Sequence, residues 1–286
     1  MLNTRITEGK LSLSIKDLPS VPVLVADALR VIDNPSSSMS EIEAVIMRDQ
    51  ALAVKVLRVV NSAAYGFSRR IENVREASTI MGTRKIRGLA AAMVTSKLYA
   101  KGIDDLVDPL DIWRHSLATS VWAIEIIDFM KLWQAQSAVM AALLHDIGIV
   151  LLCNYAIEPY RAVLQMSRKE KLHHVDVEKR ELDTTHAFVG ASLCAKWLLP
   201  VGLTQLVCHH HDKECPVDDA LAVLMLADFM AHDCGLKPLA WSGAPPMPDS
   251  LMEKLQIDGF GYNALCSRKE NVLERADALF EVSKVA

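Results

Sequence analysis

The chain has no CxxC pair, no charged-then-apolar leader and no strand-like alternation of useful length. Each absence removes a class of protein. The six cysteines, at 153, 194, 208, 215, 234 and 266, form no regular framework, so reduced and mostly buried thiols are expected instead of disulfides. The start, MLNTRITEGKLSLSIKDLPS, lacks the features of a signal peptide, and no run is expected to reach the roughly twenty apolar residues of a membrane helix. A cytoplasmic chain with no membrane partner follows as an expectation. Excess positive charge is also missing: 31 Lys and Arg against 35 Asp and Glu give a net charge of -4, which offers no field to attract nucleic acid or anionic lipid. The densest basic group, Arg84, Lys85 and Arg87, has no interleaved aromatics and reads as a solvated helix face. No internal repeat is present.

What is present is apolar residue at helical spacing, in a chain of 286 residues that is 51% hydrophobic and long enough to bury a large core. A first helix is predicted from Pro22 to Asp33, with Asn34-Pro35 as its stop. Ser40 and Glu43 read as a capping box for a second helix, and Asp49 as the cap of a third that runs into NSAAYGF. That small-residue stretch reads as a packed helix end with Gly66 in a left-handed turn. Val74 to Met81 is a short amphipathic segment closed by Gly82, and Thr83 can cap a longer helix through Leu98. Lys101 to Pro109, with its Gly, Pro and three Asp, is the best internal boundary. The fold class is therefore all-α: an N-terminal helical lobe at 15–105, a second helical lobe at 106–235, and a loop and helical extension at 236–286.

The second lobe contains a chemical anomaly. In AVMAALLHDIGIVLL, Ala138 to Leu152, seven apolar residues precede His145 and Asp146. Ionisable groups in such surroundings are costly unless paired or bound to a metal. Asp228 poses the same problem within LAVLMLADFMA, and His115 lies on the apolar helix after Pro109. His186 opens a helix that stops at Pro200, and His209, His210 and His211 follow the helix before Asp212. His173 and His174, in SRKEKLHH, read as surface residues. A His, a His-Asp pair, further His and a late Asp, each on its own helix, would let one bundle core collect nitrogen and oxygen ligands. Two outcomes fit the residue types: a divalent ion with water in its open positions, suited to phosphoester hydrolysis, or an empty network of mutual hydrogen bonds that fixes the bundle. A further set, Cys208, His209, His211 and Cys215, matches no common zinc-finger spacing.

The succession His115, LLHDIG with His145 and Asp146, and LADFMAH with Asp228 resembles the HD-domain superfamily of metal-dependent phosphohydrolases, in which a His, a His-Asp pair and an Asp hold the metal. The segments LPSVPVLVADALRVI, RDQALAVKVLRVVNSAAYGF, IENVREASTIMGTRKIRGL and THAFVGASLCAKWLLP, with CHHHD, are similar to the HDOD family of bacterial signal-transduction output domains. The resemblance spans about residues 15 to 235. It implies an N-terminal bundle packed on a degenerate HD-type bundle and a regulatory role through signalling-protein partners or a nucleotide ligand, with no established catalysis. It also implies candidate metal ligands His115, His145, Asp146 and Asp228, with His186, His209 and His210 around a second ion or a phosphate, for Fe, Mn, Zn or Mg. Against catalysis, Ile149 stands where the related HD-GYP phosphodiesterases have a lysine, and HHHDKECP replaces their acidic loop. The DGFGYN at Asp258 to Asn263 lies far downstream and reads as a coincidental turn. The alternative function is hydrolysis of a nucleotide or cyclic dinucleotide.

Overall fold

Local signals set the helix ends, and the apolar stripes between them set the packing. The computed structural model describes residues 23–34, 36–99, 107–212, 218–245 and 250–283, and these hold helices and no extended strand. The order is α1 (Val23–Asp33), α2 (Met39–Arg48), α3 (Gln50–Val60), α4 (Val74–Met81), α5 (Thr83–Thr95), α6 (Pro109–Met130), α7 (Ser137–Leu144) and α8 (Ile147–Tyr155). It continues with α9 (Ile157–Glu170), α10 (His174–Leu182), α11 (His186–Lys196), α12 (Val201–His209), α13 (Asp219–Asp233), α14 (Ser250–Lys254), α15 (Gly259–Cys266) and α16 (Lys269–Ser283). The fold is all-α, as expected. Pro22, Pro35, most of the boundary stretch after Lys101, Cys215 and the chain's last three residues lie outside the described residues.

Helices α1 to α5 pack on one another through Leu29, Ile42, Ile46, Val56, Val60 and Ile86. Asp49 caps α3 by accepting from Ala51 and Leu52 N–H. The capping box of α2 is Ser38 with Glu41, two residues before the predicted pair, because Ser38 holds the extended backbone that an N-cap requires. Thr83 is the first residue of α5, and Gly82 at φ 85° takes the cap position without a side-chain bond. The Asn61 side chain donates to the Leu57 and Ile71 carbonyls and accepts from Ile71 N–H, while Gly66 is left-handed at φ 60°. NSAAYGF is thus a tied-down helix end.

The second group is built on α6, which packs against α7, α13 and α16, with α11 wedged against α8 and α12. One expectation fails here. Trp133–Tyr155 is long and apolar enough to cross a membrane by length and composition, but 83% of its most apolar 18-residue window is buried inside the protein, and the helix breaks at His145 and Asp146. It is the core. Gly148 explains how close that core lies: a Cβ there would sit 1.9 Å from the His186 carbonyl oxygen. No other residue allows α8 to approach α11 so closely. DGFGYN is a helix start, with Asp258 accepting from Gly261 N–H as the cap of α15.

Candidate metal centre

Five segments deliver ionisable side chains to one buried place. α6 supplies His115, the α7–α8 break supplies His145 and Asp146, and the first turn of α11 supplies His186. The end of α12 supplies His210 and His211, and α13 supplies Asp228 and His232. Side chains of His115, His145, His186 and His210 are 0% exposed, and those of Asp146, Asp228 and His232 no more than 3%.

Asp146 is the hinge of the arrangement. Its Oδ2 lies 3.3 Å from His145 Nε2 and 3.6 Å from His115 Nε2. Its Oδ1 lies 3.2 Å from His186 Nε2 and 3.7 Å from His210 Nε2. Asp228 closes the other side, with Oδ1 3.0 Å from His115 Nε2 and 3.9 Å from His145 Nε2. The donors fall into linked groups, within each of which the ligand atoms lie within 4.8 Å of one another. One is His115, His145 and Asp146; a second is Asp146, His186, His210 and His211; a third is His115, Asp228 and His232.

The far nitrogens decide what the near ones present. His115 Nδ1 donates to the Leu236 carbonyl at 2.9 Å, His145 Nδ1 to Ala142 at 2.8 Å and His210 Nδ1 to Val207 at 2.7 Å. His186 Nδ1 donates to Glu178 at 2.9 Å, and Glu178 is itself held by the Tyr160 hydroxyl at 2.7 Å and the His186 N–H at 2.8 Å. With Nδ1 protonated, each neutral ring presents an Nε2 lone pair inward. His115 and His145 then face each other at 3.2 Å, lone pair to lone pair. Nε2 of His186 and of His210 makes no hydrogen bond although both are buried. A cation between these atoms removes the conflict, and the Nδ1 bonds are those expected behind metal-bound imidazoles. The donor set fits a divalent ion, and its imidazoles favour Zn or Fe over Mn or Mg.

In the metal-free chain, protons take that place. Burial disfavours charged imidazole, but the Asp146 carboxylate outweighs it at His145 and raises that ring above the usual range. At His186 the same burial is overcome by Glu178 and Asp146, and its pKa is pushed up to about 10. Burial alone would raise Asp146 and Asp228, yet their imidazole neighbours hold both well below the usual carboxylate range. His115 and His210 are lowered, chiefly by burial.

The candidates named from sequence separate into two sets. His115, His145, Asp146, His186, His210 and Asp228 converge; His209 does not. It is exposed, with Nδ1 2.8 Å from Asp212 Oδ2, because neighbouring residues at a helix end point about 100° apart. His211 joins the inner group instead, which also removes it from any set with Cys208 and His209. His232 went unrecognised although it stands four residues after Asp228 on the same helix face; its Nδ1 is 3.0 Å from Asp228 Oδ1. His174 is buried at 2% and not on the surface, since His174, Val177, Glu178 and Leu182 form the inward stripe of α10. Glu178 had no local signal.

The profile of the HDOD domain family matches residues 18–213. A curated relative from Treponema pallidum (strain Nichols), named only as an uncharacterized protein, is 26% identical over 207 residues, which cover 69% of this chain and 38% of the relative. The chain thus spans well under half the length of that relative. The crystal structure of an HDOD domain protein of unknown function from Geobacter sulfurreducens is similar at a TM-score of 0.76 and 22% identity, over 93% of each chain. A provisionally named signal transduction protein from Marinobacter aquaeolei VT8 is similar at a TM-score of 0.72 and 20% identity, over 96% of this chain and 63% of the other. At such identities the likeness shows the fold.

Proposed function

The chain belongs to the HDOD domain family, and from that premise we propose that it is a cytoplasmic signalling module that acts by binding other proteins, with divalent metal held in its core and no phosphoester hydrolysis. The observation that carries this reading is a complete but closed donor set. His115, His145, His186 and His210 aim their Nε2 atoms at Asp146 and Asp228, yet these side chains are at most 3% exposed. A catalytic metal needs an open position that substrate reaches; a structural one is enclosed by protein ligands.

A divalent ion at this place would supply Lewis acidity and an acidified water. The chain's own residues supply little else that hydrolysis needs. Ile149, fully buried, leaves no cation in the position where the phosphodiesterases resembling this chain carry lysine. Among the described residues, the charged or chargeable partners of Asp146 and Asp228 within 4.0 Å are imidazoles. What the residues do well is hold protons and orient rings: Glu178 fixes His186, and the Ala142, Val207 and Leu236 carbonyls fix His145, His210 and His115.

The completeness of the donor set favours a second reading, a metal-dependent phosphohydrolase acting on a nucleotide or cyclic dinucleotide. One experiment separates the two. Metal content is measured on the purified chain, and turnover of nucleotides, cyclic dinucleotides and a generic phosphodiester is measured after Mn, Fe, Zn or Mg is supplied, for wild type and Asp146→Ala. Bound metal lost in the variant, with no turnover in either protein, is the expected result. Turnover by the wild type that disappears in the variant overturns the regulatory reading.

A further inference from the structure

The enclosed site raises a question its ligands do not answer: how an ion reaches it. His173 and His174 are outside the ligand pattern described above, yet they lie against it. His174 is 2% exposed and neither of its ring nitrogens has a hydrogen-bond partner; His173 Nε2 and both nitrogens of His211 are likewise buried and unpartnered. Unpartnered imidazole in a core is costly.

Spacing supplies a reason. From half-buried His173 the ring centres step 4.5 Å to His174 and 5.2 Å to His211. From His174 the next step is 4.9 Å to His186, and from His211 it is 5.0 Å to His186 and 4.0 Å to His210. Two imidazoles on one tetrahedral ion, with metal–nitrogen bonds of about 2.0–2.1 Å, have ring centres about 5 Å apart. Donor atoms of His174, Glu178 and His186 also lie within 4.8 Å of one another. An ion moved along this series exchanges one imidazole for the next and is never bare in the low-dielectric core, where an unligated charge is prohibitively costly.

We propose that His173, paired with His174 on one branch or with His211 on the other, forms an outer docking position through which borderline divalent cations such as zinc or cobalt pass between solvent and the buried site. The proposal rests on the metal-binding reading of that site. Imidazole rungs select such ions over magnesium and calcium, which prefer oxygen. His174 and His173 are transit ligands, so they set the rate of loading and not the final occupancy.

The test uses the full chain stripped of metal by chelation, mixed with cobalt chloride and followed by visible absorption, with release into EDTA followed afterwards. The variants are His174→Phe, which keeps a ring stacked on His186 without donors, and His173→Ala at the half-buried end. Both should bind as many ions as wild type while loading and release slow together, by about tenfold in His174→Phe. Equal rates at equal occupancy overturn the docking position and leave the buried site standing. Fewer ions bound by folded His174→Phe make His174 a resident ligand, which also overturns the transit role. Failure of the wild type to bind any cobalt or zinc overturns the metal reading itself. If His174→Phe does not fold by circular dichroism, His173→Ala decides between the same outcomes.

Discussion

At the scale of single residues, Asp146 carries more than any other side chain, since its two oxygens face four imidazoles. Asp146→Asn keeps the volume and removes the charge. The variant should lose bound metal, and its metal-free form should be destabilised by about 3–5 kcal/mol in urea denaturation, because buried imidazolium is left without its counter-charge. His186 sets the pH dependence. Its pKa of about 10 in the metal-free fold lies above the ordinary 6.5, raised by Glu178 and Asp146 against the opposing effect of burial. That proton stabilises the metal-free fold fully below about pH 6.5, and the contribution is lost as pH rises through 10. An ion must displace the same proton, so apparent metal affinity should rise from pH 6 to pH 9, and titration calorimetry in buffers of different ionisation heat should show proton release. Asp33 shifts in the same direction, here because burial disfavours its charge. Burial raises it from 3.8 to about 6 despite Arg87, so the folded state binds the extra proton and stability falls between those values as pH rises. Asp33→Asn should therefore stabilise the protein by about 1–2 kcal/mol at pH 8 and leave it unchanged at pH 4.

At the scale of elements, the contact of α8 with α11 places His186 over Asp146, and Gly148 permits it. A methyl group there meets the His186 carbonyl carbon at 2.7 Å and the Gly190 nitrogen at 2.9 Å, both backbone atoms that cannot step aside. Gly148→Ala should lower stability by more than about 3 kcal/mol and reduce metal binding, as read by thermal denaturation and metal analysis. Gly190→Ala, whose added carbon meets its neighbours at 3.3 Å, should be milder. Such contacts show what a sequence displays and what it conceals. His145, Asp146 and Asp228 were legible because a carboxylate in an apolar run violates the hydrophobic pattern, and helix periodicity then placed their elements. His232 was legible in principle as the i+4 neighbour of Asp228. His209 against His210 was not, because the choice depends on where α12 ends. His174 and Glu178 were concealed by the polar residues around them, since only the packing of α10 on α9 shows which stripe turns inward.

At the scale of the whole molecule, the C-terminal helix is more than an appendage to the bundle. α16 packs against α3 and α5 as well as α6, so one helix touches both groups of helices, and α6 carries His115. Polar contacts fix its register: Trp113 Nε1 donates to Ser283 Oγ at 2.8 Å, and Arg114 to Asp277 at 2.6 Å. Glu125 of α6 accepts from Arg268 at 2.8 Å and from Arg275, whose side chain is 7% exposed. The two guanidinium groups outweigh burial and hold the Glu125 carboxyl below its ordinary range. Glu125→Ala leaves a buried guanidinium without a counter-ion and should cost about 3–5 kcal/mol. Because α6 belongs to both the metal site and the α16 contact, the loss should be global. Glu125→Ala and removal of metal by chelation should each shift one denaturation transition, seen at the same midpoint by tryptophan fluorescence and by circular dichroism. Two separated transitions in either case would show that α16 and α6 do not couple the helices that bear the site to those that precede it.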